Sequence, residues 1–260
     1  MGVPADVEEL TDLLWRAGFV AADEEAAELL DRAGGDDELL DALVARRLTG
    51  EPLAWITGTV TFCGVEVRVA PGVYVPRWHS EALAERAAAL LPADGAAVDL
   101  CTGTGAVACV LRGARPGARV VGTDLDPAAV ACARSNGVEA YAGDLFGPVP
   151  GELRGRVDVV VGIVPYVPTP GLEYLQRDTL TFESPRAYDG GPDGMALVRR
   201  AVREGVAFLR PGGTILLELG ADQPDLLAAD LAGAGYSPAC VLADEDGDVR
   251  GVEAVLLPRG

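Results

Sequence analysis

Three regimes of hydrophobic spacing follow one another along the chain. In residues 1–50 the apolar positions recur at intervals of three and four. Val7, Leu10, Leu13, Leu14 and Ala17 share one helical face. "ADEEAAELLDRAGG" and "DDELLDALVARRL" repeat the spacing, with Gly34 and Gly35 between them as a stop signal. This stretch predicts a small helical unit. Over residues 55–75 the spacing changes to alternation, and Val60, Phe62, Val65, Val67 and Val69 predict a β-hairpin turning near Cys63-Gly64.

From residue 96 short apolar runs alternate with helical stretches. The runs lie at 96–100, 118–124, 138–144, 157–163, 213–220, 237–244 and 252–258, and "DPAAVACARSN" and "GMALVRRAVREGVAFL" are two of the intervening helices. Strands alternating with helices predict a parallel sheet covered on both faces. The last two runs are joined by the turn-rich "EDGDVRG", which predicts an antiparallel hairpin at that end of the sheet. The expected organisation is a helical unit (1–50), a linking hairpin (51–75) and an α/β domain (76–260).

Charge narrows the partners. There are 40 acidic and 21 basic residues, for a net charge of -19, and every basic residue is Arg. That balance argues against nucleic acid, whose phosphates call for clustered cations. It suits a soluble cytosolic protein. Neither a signal peptide nor a membrane-spanning run is expected. Five cysteines without a C-x-x-C pair, and a single histidine, point to reduced thiols and to neither a disulfide framework nor a metal.

The candidate chemistry sits at strand ends. "VDLCTGTGAVA" follows the first strand of the sheet, and Gly103 and Gly105 allow a ligand close to the backbone there. The next helix aims its N-terminal amides at the same place. Asp124 ends the second strand and can accept from two ribose hydroxyls; Asp144 ends the third and can accept from an adenine amino group. Gly103, Gly105 and Ala108 match the dinucleotide pattern G-x-G-x-x-G/A. S-adenosylmethionine is the other cofactor that suits this geometry. Asp99 favours it, because an acid beside the loop attracts a cationic methionine moiety and repels a pyrophosphate.

"RRLTGEPLAWITGTVTFCGVEVRVAPGVYVPR", "DLCTGTGA", "DLDPAAVACARSN", "GDLF", "PYVPT" and "ESPRAYDGGPDGM" follow one another in this order. Together they resemble the HemK/PrmC family of protein-(glutamine-N5) methyltransferases over nearly the whole chain. The resemblance implies a seven-stranded, Rossmann-like S-adenosylmethionine-dependent methyltransferase sheet. It also implies a helical domain that grips a protein substrate, a release factor or a ribosomal protein. Cofactor positions carried over are Asp99, the loop Cys101-Thr102-Gly103-Thr104-Gly105, Asp124 with Leu125, and Asp144 with Leu145. The family usually has Gly at the position of Cys101 and often an aromatic at that of Leu145. Arg77 matches an arginine near the active site. His79, where the family often has an acid, is read as a surface or packing residue.

One departure bears on activity. The family signature Asn-Pro-Pro-Tyr is here Ile163, Val164, Pro165 and Tyr166, and a branch with Asn-Ala-Pro-Tyr-Val-Pro-Thr is nearest. In the family the asparagine oxygen and the following backbone carbonyl hold the two amide N–H groups of the attacking glutamine, and they aim its lone pair. The Val164 carbonyl survives and the side-chain acceptor does not. Ile163 is therefore expected to weaken or abolish glutamine methylation while also lining the cofactor site. Glu183 is a candidate for the missing acceptor. Two other readings stand beside glutamine methylation: a methyltransferase with a different acceptor, such as a small molecule, and a non-catalytic homologue that binds the cofactor or a protein.

Overall fold

The computed structural model describes residues 6–175, 177–220, 222–244 and 246–258. The helical unit contains α1 (Val7–Arg16), α2 (Ala22–Ala33), α3 (Asp37–Arg47) and α4 (Leu53–Thr57). Asp6 and Asp36 cap α1 and α3 by accepting backbone N–H groups, and Gly34, at φ +59°, ends α2. Of the predicted face, Leu10, Leu13 and Leu14 join Ala26, Leu29, Leu43, Val44 and Ile56 in the core, whereas Val7 and Ala17 are exposed. Arg47 locks the far side. It donates to both Glu25 oxygens, at 2.6 and 3.0 Å, and its guanidinium lies 3.8 Å from the Phe19 ring centre.

The linking segment is only partly a hairpin. Strands β1 (Thr59–Phe62) and β2 (Val65–Arg68) pair antiparallel, with Phe62 opposite Val65. Cys63 and Gly64 turn at φ +48° and +70°, as the two central residues of a tight hairpin require. Residues 53–57, expected in the hairpin, instead form α4. Pro52 starts it, Gly58 at φ +87° ends it, and Ile56 completes the helical core. Asn136, after α7 (Pro127–Ser135), fastens the hairpin from the other side. Its amide donates to Arg68 O and to Thr104 O, both at 2.9 Å, and its oxygen accepts Arg68 N–H.

All seven expected strands form one sheet: β3 (Ala96–Leu100), β4 (Arg119–Asp124), β5 (Glu139–Ala142), β6 (Val157–Gly162), β7 (Leu209–Leu217), β8 (Cys240–Ala243) and β9 (Val249–Val255). Their order is β5-β4-β3-β6-β7-β9-β8, and β9 runs antiparallel to both its neighbours. Alternate side chains feed opposite cores. Ala97, Val159 and Val161 face α5 (Glu81–Leu90), α6 (Ala106–Ala114) and α7; Val98, Val160 and Ile215 face α9 (Ala196–Gly205) and α10 (Gln223–Ala234). The chain winds outward from β3 to β5, then returns to β6 beside β3. That reversal opens a crevice above the carboxyl ends of β3 and β6. No helix among the described residues is long and apolar enough to cross a membrane.

Candidate active site

The glycine loop between β3 and α6 is held from below by Asp99. One carboxylate oxygen accepts the Thr102 hydroxyl at 2.6 Å and the Ala108 N–H at 3.2 Å, so a single buried side chain fixes both loop and helix. Burial pushes the Asp99 carboxyl up to about 7; those two hydrogen bonds pull the other way, and nearby Asp124 adds to the rise. Cys101, Gly103 and Gly105 all adopt positive φ, at +55°, +54° and +83°. A glycine is the usual occupant of such a conformation, so Cys101 sits in a geometry that costs an L-residue energy.

Asp124 closes the loop from the side. Its two oxygens accept Gly103 N–H and Asp126 N–H, each at 2.9 Å, which leaves outward lone pairs for a ligand. Burial also raises this carboxyl, against the opposing pull of the backbone amides. Asp144 lies beyond β5 and accepts from Arg200 at 2.9 Å. Leu145 beside it is buried at φ +43°.

These residues line one cavity of about 800 Å³, which runs on to Ile163, Val164, Pro165 and Tyr166 and past them to Arg77 and Tyr188. Every cofactor position proposed from the sequence borders it except Gly105, which caps α6 instead. The cavity suits a cationic nucleoside. Acids stand at three strand ends, and a Cβ at Gly103 would meet nothing within 4 Å and would occupy ligand space. The buried Thr104 and Thr123 hydroxyls, also along this wall, have no partner among the described residues.

The 163–169 turn is rigidly held. Val167 N–H donates to Tyr188 O, Gly190 N–H to Val167 O and Thr169 N–H to Gly191 O, at 2.8–2.9 Å. The Gln223 side chain donates to Tyr166 O at 2.7 Å. Ile163 lines the cavity and leans on the apolar cluster below, so its side chain offers the ligand only hydrocarbon. No backbone N–H among the described residues ends on the Val164 carbonyl, which keeps it available as an acceptor.

Glu183 does not line the cavity. It is 4 % exposed; Val75 N–H donates to one of its oxygens at 3.2 Å, and Arg77 at 2.6 Å and the Tyr188 hydroxyl donate to the other. It anchors Arg77 and does not replace the missing acceptor. Sequence reasoning also passed over a residue of this region. Glu218 follows β7, is 2 % exposed, and accepts the Tyr166 hydroxyl at 2.9 Å. His79 Nε2 lies 3.5 Å from the same Glu218 oxygen. The signal was an acid at a strand's carboxyl end, the rule that picked out Asp124 and Asp144. Among the described residues no cluster of three or more His, Cys, Asp or Glu is arranged for a metal.

No family model matches the chain. A release factor glutamine methyltransferase of Geobacter sulfurreducens is 36% identical over 211 residues, covering 79% of this chain and 73% of its own. One from Mycolicibacterium smegmatis is 43% identical over 193 residues, 70% of this chain and 68% of its own. A 4-amino-L-phenylalanine/4-methylamino-L-phenylalanine methyltransferase of Streptomyces pristinaespiralis is 38% identical over 191 residues, 69% of this chain and 65% of its own. Among solved structures, a methyltransferase from Pyrococcus furiosus is alike in fold, with a TM-score of 0.56 over 83% of this chain and 98% of that one at 18% identity.

Proposed function

The chain belongs to the release factor glutamine methyltransferase family, and from that premise we propose that it methylates a glutamine side-chain nitrogen in a release factor, through an active site weakened at residue 163. Like its relatives it is an S-adenosylmethionine-dependent methyltransferase. The observation that carries the reading is the continuity of one cavity from the acids at the ends of β4 and β5 to the Ile163–Tyr166 turn.

When bound, the cofactor supplies an electrophilic methyl group on a sulfonium. The protein's part is to hold and aim. Asp124 takes the ribose hydroxyls, Asp144 the adenine edge, and Asp99 lends negative charge beneath the methionine moiety. Across the cavity, the Val164 carbonyl takes one N–H of the incoming amide. Tyr166 and the prolines beside it form a stiff wall that limits how that amide can rotate. An amide nitrogen is a poor nucleophile, so its orientation governs the rate. At Ile163 the second N–H meets hydrocarbon, at a cost of roughly 1–3 kcal/mol.

A second acceptor class is favoured by the same residue. An arylamine nitrogen delocalises its lone pair less than an amide does and needs fewer fixed acceptors. The relative from Streptomyces pristinaespiralis is named for such a substrate. Labelled methyl transfer tests both readings, with a release-factor fragment carrying Gly-Gly-Gln and with 4-aminophenylalanine. Ile163→Asn is expected to raise transfer to the fragment by about 10²-fold, the usual weight of one transition-state hydrogen bond. A variant that binds cofactor yet leaves the fragment rate unchanged would remove the amide-steering account.

A further inference from the structure

Beside the large cavity lies a second, of about 310 Å³, and the two share His79 and Tyr166 as wall residues. Glu218 borders the second. Its N–H donates to Gly162 O at 3.1 Å, which sets it directly beside the Ile163 turn. One carboxylate oxygen serves both Tyr166 and His79; the other is buried with no partner among the described residues. A carboxylate so buried and only half satisfied calls for a neighbouring cation or a proton.

The cationic side chains nearby are already committed. Arg250, on the wall of the second cavity, donates to Asp244 at 2.8 Å and lies 3.5 Å from Asp248. Arg77 is held by Glu183 and Tyr188. Beside the neutral Tyr166 hydroxyl, that leaves His79, among the described residues, as the side chain near Glu218 that can take up positive charge while lining the acceptor cavity. Glu218 stands against the imidazole, Tyr166, Asp248 and Arg250 share the walls of the second cavity with it, and Arg77 lies two residues before it on the large cavity. With Nε2 turned toward Glu218, Nδ1 is the nitrogen left for the acceptor side. The Trp78 ring stands edge-on against the imidazole at 5.8 Å.

We propose that His79 is the base of the reaction, receiving the proton that the acceptor nitrogen loses, and that Glu218 is its positioning residue. The proposal rests on the methyltransferase reading above. The acceptor nitrogen gains a bond to the methyl carbon, while the broken carbon–sulfur pair stays on sulfur. The N–H bond then breaks, its electrons remain on nitrogen, and its proton moves to His79 Nδ1. Glu218 offsets the imidazolium charge, and the proton leaves to solvent through the second cavity. An imidazole here also supplies an accepting nitrogen where Ile163 supplies none.

His79 is the chain's single histidine, so its ¹⁵N imidazole signals need no assignment. In the whole protein saturated with S-adenosylhomocysteine, the neutral ring is expected as the Nε2–H tautomer, and Glu218→Leu is expected to erase that preference. His79→Phe should lower kcat by about 10²-fold with whichever of the Gly-Gly-Gln fragment and 4-aminophenylalanine the native enzyme accepts, with S-adenosylhomocysteine affinity retained. Glu218→Gln should lower kcat by a smaller factor and leave KM in place. An Nδ1–H tautomer, a tautomer indifferent to Glu218→Leu, or an unchanged kcat in His79→Phe overturns the proposal. If the native enzyme accepts neither substrate, the tautomer alone decides. A native protein that fails to bind S-adenosylhomocysteine overturns the methyltransferase reading instead.

Discussion

At the scale of single residues, Asp99 has the sharpest consequence. Its carboxyl titrates near 7 in the fold because burial disfavours the charged form, against an ordinary value of 3.8. A folded value raised above the unfolded one means that the native state holds its proton longer. Asp99's contribution to stability is then fully present below about pH 4 and is lost as pH rises through 7, with an upper bound on the order of 4 kcal/mol. Asp99→Asn is expected to flatten that slope in urea unfolding followed from pH 5 to 8. A cationic ligand reverses the preference by favouring the carboxylate. S-adenosylmethionine should therefore bind more tightly at pH 8 than at pH 6 and release a proton, which calorimetry in buffers of different ionisation enthalpy reads directly. Asp124 and Asp144 were legible because each closes an apolar run, and Asp99 because it stands just before the glycine loop. Glu218 obeys the same rule but lies inside "LLELG", where the hydrophobic run masks it. The service of Glu183 to Arg77 is fixed by long-range packing that no local spacing encodes.

At the scale of elements, the 163–169 turn works because another loop lies flat against it. A Cβ at Gly194, whose φ is +75°, would stand 2.2 Å from Tyr166 O. Gly194→Ala must push the turn away or unfold it locally. A loss of about 2–4 kcal/mol in denaturant midpoints is expected, the range of a strained backbone combined with a steric clash. Methyl transfer should fall further than cofactor affinity, since the glycine loop lies elsewhere. All seven strands were readable from alternation and length, but their edges were not. β7 starts at Leu209, through Pro211, Gly212 and Gly213, which read locally as a turn; the register shift between Val157 and Val159 absorbs them. Helix α4 was missed for a different reason. Five residues are too few to show a helical period, and Ile56 becomes apolar-inward only once α1–α3 are there to receive it.

At the scale of the whole molecule, the helical core shares no residue with the two cores of the sheet. Ligand saturation should therefore stabilise the parts unequally. With S-adenosylhomocysteine at about 100 times its Kd, the slowest amides of β3, β4 and β6 are expected to gain ~2.7 kcal/mol of protection in hydrogen exchange. Those of α1, α2 and α3 should not move; a uniform gain would mean the two parts unfold as one. The switch from helices alone to alternating strands and helices was plain from the change of period. How the parts are fastened was not, because the bonds and packing that join hairpin to sheet come from residues far apart in the chain, the Asn136 amide among them. Asn136 holds Arg68 on the hairpin and Thr104 on the loop that cradles the nucleoside. Whatever tugs the hairpin thus tugs the cradle, and the arrivals of nucleoside and acceptor become two legs of one thermodynamic square. Each must change the other's dissociation constant by the same factor, and Asn136→Ala should bring that factor closer to one.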